Sequence, residues 1–423
     1  MVGRRVVAAE EWKRHWQLVL ACSVGFSFMS FMTPAAGIFM ESLSHAFGWS
    51  RTQLSAGIAI SGVLSLLGSP FLGALIDRLG TRRIALPGIV LTALAIVGFS
   101  FANGSFAQWI GLWLFWGLVV LLIQSTVWST AVASVFDAGR GLALGLTLSG
   151  TALANVIVPP LTDWLISSFG WRAAYVYLGL GWGGVALILS AFFLFDARDQ
   201  YRLKGAGGPQ ARQGSAELPG LTIAQAWRST ELWRVAISSF LILLITIAVL
   251  IHQFPILLEA GVPRTKAAWL VSLAGAAGIA GKLVTGALID RVHARWVGGI
   301  TLASTAIAYP LLLEPIRSPV LIVIAMMISG YAAGTKIQLC GYLTARYAGL
   351  RNYGAIFGFM TSMIALASGI GPLLAGVSYD RYGSYAPLLI AGAVVSVISG
   401  ILVLSLGQYP DWSTSNTEGE RKA

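Results

Sequence analysis

Gly73-Ala-Leu-Ile-Asp-Arg78 recurs, residue for residue, as Gly286-Ala-Leu-Ile-Asp-Arg291. The offset is 213 residues, about half of the 423-residue chain. The same ungapped offset aligns Arg51-Thr52 with Arg264-Thr265, Gly68 with Gly281 and Gly145 with Gly358. It also aligns Pro159 with Pro372 and Phe169-Gly170 with Tyr382-Gly383. A repeated hexamer flanked by matched glycines and prolines is the mark of a duplicated chain. Both copies are mostly apolar, so the duplicated unit is membrane-spanning.

Hydrophobic residues make up 56% of the chain and charged residues 11%. A soluble domain carries about 25% charged residues. Twelve apolar runs recur, at 16–41, 52–76, 83–103, 106–133, 140–166, 172–195, 233–258, 266–289, 296–314, 319–344, 353–378 and 385–407. A bilayer-spanning helix needs ~20 residues, and the runs match that length. The reading is an all-α membrane protein of twelve transmembrane helices in two pseudo-symmetric six-helix halves. Residues 1–195 form the first bundle, 196–232 a cytoplasmic linker, and 233–423 the second bundle with a short cytoplasmic tail. The first run is too long for a signal peptide and lacks a small-residue cleavage site, so it reads as a retained helix.

The net charge of +11 raises the question of nucleic acid, and its distribution answers it. With the N-terminus inside, twenty of the 28 Lys and Arg fall in inside loops and tails, six fall outside and two lie within helices. The positive-inside rule accounts for that pattern, with both termini cytoplasmic and the chain multi-pass in a cell (inner) membrane. No soluble domain is present to present a basic face to nucleic acid. Cys22 and Cys340 both fall inside predicted helices, so neither a disulfide nor a zinc site is expected, and no metal or cofactor is called for.

Gly205–Pro219 is a low-complexity polar stretch, read as a flexible linker between the halves. After it, Leu221, Ala224, Trp227 and Leu232 recur at near-helical spacing, which predicts an amphipathic helix on the inner membrane surface. Ser50-Arg-Thr-Gln53 has the form of a capping box. Its repeat mate, Pro263-Arg-Thr-Lys266, starts a helix with proline instead.

The hexamer extends to Gly80-Thr-Arg82-Arg83. The whole segment from Gly73 to Arg83 resembles the signature loop between helices 2 and 3 of the major facilitator superfamily. The second copy departs after Arg291, where Val292-His293-Ala294-Arg295 replaces the glycine and the paired arginines. Gly48-Trp49-Ser50-Arg51 before helix 2, and Arg346-Tyr347-Ala348-Gly349-Leu350-Arg351 after helix 10, resemble the monocarboxylate transporters and the oxalate/formate antiporters. The resemblance implies a transporter rather than an enzyme, and assigns a gating role to Gly73, Asp77, Arg78, Gly80, Arg82 and Arg83 and to Gly286, Asp290 and Arg291. Physically, Gly73 and Gly286 let two helices approach closely. Asp77 and Asp290, placed just past a helix end, can hold neighbouring basic residues and a helix start. The alternative is that these are topological charges and tight loops.

Duplicated scaffolds match where they support structure, so unmatched polar residues in mid-helix are informative. Lys282 in helix 8 lies eight residues before Asp290 and has Ser69 as its repeat mate. Lys336 in helix 10 lies ten residues before Arg346 and has Ile123 as its mate. At 1.5 Å per residue these depths are ~12 and ~15 Å, near the midplane of the bilayer. A central lysine costs roughly 2.5–3.5 kcal/mol to insert. Two at one depth repel each other unless an anion sits near both. The carboxylates Glu41, Asp163, Glu259 and Glu314 all fall near outer helix ends. Anion binding is the functional reading; structural, snorkelling lysines are the alternative. The resembled families carry a Gly-Arg pair in helix 8 that meets a substrate carboxylate. Here the pair is Gly281-Lys282, with the charge kept and the planar fork lost. In helix 10 some bacterial relatives place an acidic residue where this chain has Lys336.

Gln124, Asn155 and Gln338 are mid-span amides that can bond either a substrate or another helix. His252 carries an imidazole, whose free form titrates near neutrality, and is open to proton coupling or to an interhelical bond. Trp113, Trp116 and Trp128 suit either a cavity wall or helix packing. The expectation is a secondary transporter that moves a small mono- or dicarboxylate by alternating access, as a monomer, with a coupling proton or counter-anion. No Gly-x-x-x-x-Gly-Lys-Ser/Thr motif is present to drive an ATP pump. The alternatives are a proton-coupled exporter of drugs or other hydrophobic solutes, which ordinarily needs an embedded carboxylate, and a transporter-like membrane sensor.

Overall fold

The computed structural model describes residues 2–136, 139–195, 220–289, 291–314, 316–349 and 351–410. Residues 196–219 of the linker 196–232, and Asp290, fall outside the described residues. Among the described residues, nine helical segments are long and apolar enough to cross a membrane. One of them, Leu142–Phe193, is 52 residues long. It bends at Gly170, whose φ of 80° and ψ of 162° are not helical, and so supplies two spans. With Arg51–Leu79 and Ala294–Ala308 the described helices account for twelve passes.

In order, helix 1 comprises Val2–Ser30 and, after Phe31, Met32–Phe47. Helix 2 is Arg51–Leu79 and helix 3 is Thr81–Phe99. Helix 4 is Phe106–Val120 continued by Ser125–Val135. Arg140–Leu148 leads into Gly150–Tyr177, which holds helix 5 and the start of helix 6 on either side of Gly170; Gly183–Phe193 completes helix 6. Helix 7 is Thr230–Glu259, helix 8 Arg264–Ile289 and helix 9 Ala294–Ala308. Helix 10 is Pro319–Ala348, helix 11 Tyr353–Tyr382 and helix 12 Ala386–Leu404.

The duplication is visible in the backbone. Gly48 and its mate Gly261 both have positive φ (67° and 79°) where helices 1 and 7 end. Gly170 and its mate Gly383 do the same (80° and 68°) where helices 5 and 11 end. Other residues reach that region only at a steric cost, so a helix stop is kept by keeping the glycine. The capping box is present as read: Ser50 accepts from the Gln53 amide, and the Ser50 amide donates to Gln53 Oε1 at 3.0 Å. At the mate position the Ala267 amide donates to the Pro263 carbonyl, which opens helix 8.

Three expectations need correction. Helix 2 runs on to Leu79, so Asp77 lies in its last turn rather than past its end. Helix 4 is not continuous: Leu121–Ile123 tightens into a 3₁₀ turn, and Gln124 is extended at ψ 164°. A break inside lipid must satisfy the carbonyls it frees. The Trp128 indole N–H does so, donating to the Ile123 carbonyl at 2.7 Å. The predicted interfacial helix is shorter than 221–233, spanning Ile223–Arg228 behind a Thr222/Gln225 capping box. The Leu221 amide donates to the Ala348 carbonyl, and Asn352 Nδ2 donates to the Leu221 carbonyl. Trp227, Trp233 and Phe359 form an aromatic cluster beside it.

By contacts the chain divides into two compact units: residues 1–211 with 251–272, and residues 212–250 with 273–423. In the first unit, an aromatic cluster of Phe99, Trp109, Trp113, Trp116 and Tyr175 fills the space between helices. In the second, helices 8 and 10 cross with almost no side-chain padding. A Cβ on Gly334 would fall on the Gly278 backbone, one on Gly330 on Ala274, and one on Gly281 on the Tyr331 carbonyl. Small residues four apart on both helices permit this approach. Gly334→Val should therefore destabilise the detergent-solubilised protein by about 1–3 kcal/mol or more, as overpacking does. Gly358→Ala, where a Cβ meets nothing within 4 Å, should leave the melting temperature nearly unchanged. Thermal unfolding of the two variants checks this contrast.

Candidate functional site

The glycine crossing positions both lysines. Lys282 follows Gly281 directly, and Lys336 stands two residues past Gly334, so the two contact faces that lock helices 8 and 10 also fix the lysine-bearing turns. Lys336 is 3% exposed, and its Nζ donates to Thr246 Oγ1 of helix 7 at 2.5 Å. Thr246 Oγ1 donates to the Ile242 carbonyl at 2.6 Å, and its side chain is also hydrogen-bonded to the Tyr309 side chain. One hydroxyl thus accepts from the ammonium and donates onward. Among the described residues Lys336 makes no ion pair. Thr246 supplies a dipole and no charge.

Lys282 is half-buried on the neighbouring helix. One turn on, Thr285 Oγ1 and the Tyr331 hydroxyl are 3.1 Å apart, tying helices 8 and 10 a second time. Gln338 packs its amide nitrogen into the notch left by Gly286. Gly286, read from sequence as a gating glycine, therefore makes room for a candidate site amide.

The remaining predicted residues lie in the first compact unit. Gln124 is the extended residue at the break in helix 4 and is half-buried. Asn155 is half-buried in helix 5, next to Val156, whose carbonyl accepts from Ser272 Oγ at 2.5 Å. His252 is fully buried with Nε2 3.0 Å from Ser55 Oγ, an interhelical hydrogen bond. Trp113 and Trp116 belong to the aromatic packing, and Trp128 sits against Gly25 while closing the helix 4 break. The contacts described for these tryptophans are packing contacts.

At the signature loop, Gly80 takes φ 87° between helices 2 and 3. Arg82 reaches the end of helix 6, donating to the Ala191 and Leu194 carbonyls at 2.6 and 3.1 Å with its guanidinium 4.0 Å from the Phe195 ring centroid. A cation on those last carbonyls complements the helix dipole. Arg78, Arg83 and Arg291 are exposed. The side chain of Asp77, the surroundings of Gly73, and Asp290 lie outside what the structure describes.

Two partners were missed by sequence reasoning, Thr246 and Tyr309. Thr246 has Thr33 as its repeat mate, so a search for unmatched polar residues passes over it. Tyr309 closes helix 9 just before Pro310–Leu312 and carries no local signal of its depth.

The family model described as Major Facilitator Superfamily matches residues 20–262 and 247–422. Monocarboxylate transporter 13 of Bos taurus is 24% identical over 390 residues, covering 92% of this chain and 88% of its own. The Agnestins efflux protein AgnL12 of Paecilomyces divaricatus is 24% identical over 398 residues, covering 92% and 84%. Among solved structures, that of a D-xylose-proton symporter superposes with a TM-score of 0.75 at 12% identity, covering 93% of this chain and 98% of the other.

The Lys336–Thr246 bond makes a separable prediction. Thr246→Val keeps the side-chain shape but leaves the ammonium without its acceptor, at a cost of about 1–3 kcal/mol. Adding Lys336→Met should recover most of that loss, a non-additivity that thermal unfolding of the single and double variants reads directly.

Proposed function

The chain belongs to the major facilitator superfamily, and from that premise we propose that it carries a small organic anion, a mono- or dicarboxylate, by alternating access. One observation carries the reading: two lysines flank a single glycine crossing, and Lys336 is held by the Thr246 hydroxyl with no ion pair among the described residues. A buried cation without a counter-charge is costly, and a bound carboxylate removes that cost. The relatives named as monocarboxylate transporters support the same substrate class.

Lys282, half-buried, is the primary contact for the carboxylate, and Lys336 with Thr246 and Tyr309 sets the field behind it. Gln338 supplies a neutral hydrogen bond to the rest of the substrate, and Gln124 and Asn155 are the candidate substrate amides of the first unit. The cycle is completed by a coupling proton, with His252 as its candidate carrier, or by exchange for a second anion. Residues 1–195 and 233–423 move as the two repeats about linker 196–232, in a cell membrane with both termini cytoplasmic. Asp77 and Asp290 with their arginines latch the inner side.

A second reading, proton-coupled export of a hydrophobic solute, is favoured by the relative named as an efflux protein. It needs an ionisable carboxylate free to exchange protons within the membrane. Asp163 is the buried candidate, and it is engaged by Arg264 near a helix end.

The test is binding of carboxylates to lysine variants in detergent or reconstituted membranes. Lys282→Gln and Lys336→Gln should each weaken binding by about 10- to 100-fold, or 1.4–2.8 kcal/mol, without impairing insertion. Lys282→Arg should retain part of the affinity, and the two losses should be non-additive if one substrate meets both charges. Unchanged binding of every anion in both variants refutes the anion site.

A further inference from the structure

Arg51 and Arg264 are repeat mates, and each forms an ion pair, but with partners that are not mates of one another. Arg51 Nη2 donates to Glu41 at 2.6 Å, ten residues back in the same copy. The mate of Glu41 is Phe254. That substitution removes the local carboxylate, and the Arg264 guanidinium instead stands 5.4 Å from the Phe254 ring centroid. Its Nε reaches out of its own copy to Asp163 of helix 5, at 2.6 Å. The mate of Asp163 is Gly376, so no such carboxylate exists for Arg51 to reach in return.

The same one-sidedness holds for two other polar ties around residues 251–272. His252 bonds Ser55, while their mates are Phe39 and Ala268. Ser272 bonds the Val156 carbonyl, while its mate is Ala59. Each tie joins the second copy to the first inside one compact unit, and each uses a polar residue where the other copy has an apolar one. Residues 251–272 are also the segment of helices 7 and 8 that belongs to the first unit, while the flanking residues on both sides belong to the second.

We propose that this segment is a detachable clasp, with Asp163–Arg264 as its releasable latch and Glu41–Arg51 as the static ancestor of that pair. The proposal rests on the alternating-access reading and names the device that holds shut the helix ends opposite the Asp77 loop. The latch is fitted for release. Asp163 is nearly buried, yet Arg264 stays about a third exposed, and among the described residues its buried Nη2 has no hydrogen-bond partner, so the guanidinium grips Asp163 through Nε alone. A single-pronged pair with one wet partner breaks at less cost than a bidentate, fully buried one. The Glu41 pair closes a local helix–turn–helix and stays intact in either state.

Spin labels at Ser168→Cys and Thr265→Cys, both exposed, measure separation of the clasp; Cys22 and Cys340 are buried and remain unlabelled. In the unliganded wild-type the short distance should dominate. Asp163→Asn should raise the ratio of long to short distances about tenfold or more, the scale set by losing a buried partner. Phe254→Glu should shift the ratio the same way by returning to Arg264 the local partner that Arg51 has. Glu41→Gln should leave the ratio unchanged. Should Asp163→Asn elute as misfolded protein, the exchange Asp163→Arg with Arg264→Asp replaces it and should restore the short distance. No shift in Asp163→Asn, or an equal shift in Glu41→Gln, overturns the proposal. The distances are read without substrate, so failure of the anion reading leaves this outcome intact, and failure of the latch leaves anion binding intact.

Discussion

The close approach of helices 8 and 10 is the constraint on which the candidate site depends. Lipid offers no hydrophobic drive for one helix to meet another, so association in the membrane relies on backbone proximity and packing. Gly278, Gly281, Gly330 and Gly334 supply that proximity, bringing backbone against backbone over two helical turns. The lysines sit at the margins of this contact, one immediately after Gly281 and the other two residues after Gly334. A side chain placed there projects from a fixed turn, because the helix that carries it cannot rotate without collision. The crossing therefore fixes where positive charge resides in the membrane interior. Thr246 then fixes its orientation by accepting one proton of the Lys336 ammonium while donating its own to the backbone.

Duplication supplies the scaffold, and divergence supplies the chemistry. The glycines that stop helices 1 and 7, and those that stop helices 5 and 11, are still paired, because a positive φ admits few other residues. Several polar residues with a proposed role are unpaired: Lys282 against Ser69, Lys336 against Ile123, Asp163 against Gly376, His252 against Phe39. A symmetric protein would put equal charge in both copies and would tie both ends of the helices alike. This chain concentrates its central charge in the second copy and ties residues 251–272 to the first.

Much of the fold was legible because it is governed by local rules. The twelve passes follow from apolar length, the start of helix 2 from Ser50 and Gln53, and the start of helix 8 from Pro263. The break in helix 4 was not legible, since Leu121–Ile123 is as apolar as any helix interior and its cause is tertiary. Gly88 leaves room beside Leu122 and Ile123, and Trp128 takes up the freed carbonyl. For the candidate site, the lysines could be found from sequence because charge in an apolar run is conspicuous. Thr246 could not, because a single threonine in a hydrophobic helix is usually satisfied by its own backbone. Arg264 looked like a helix-start residue, and only the distance to Asp163 reveals a second role.

The central claim is that the membrane interior of this protein is cationic in order to hold a carboxylate. The most direct measurement compares binding of a short aliphatic carboxylate series with the corresponding primary amides, matched in size and shape and lacking only the charge. Calorimetry or thermal shift on purified protein at constant ionic strength is sufficient. The account predicts that at least one carboxylate binds and stabilises the protein while its amide does not, and that affinity falls as salt is raised. Equal binding of acid and amide, or stabilisation by hydrophobic cations alone, would contradict it.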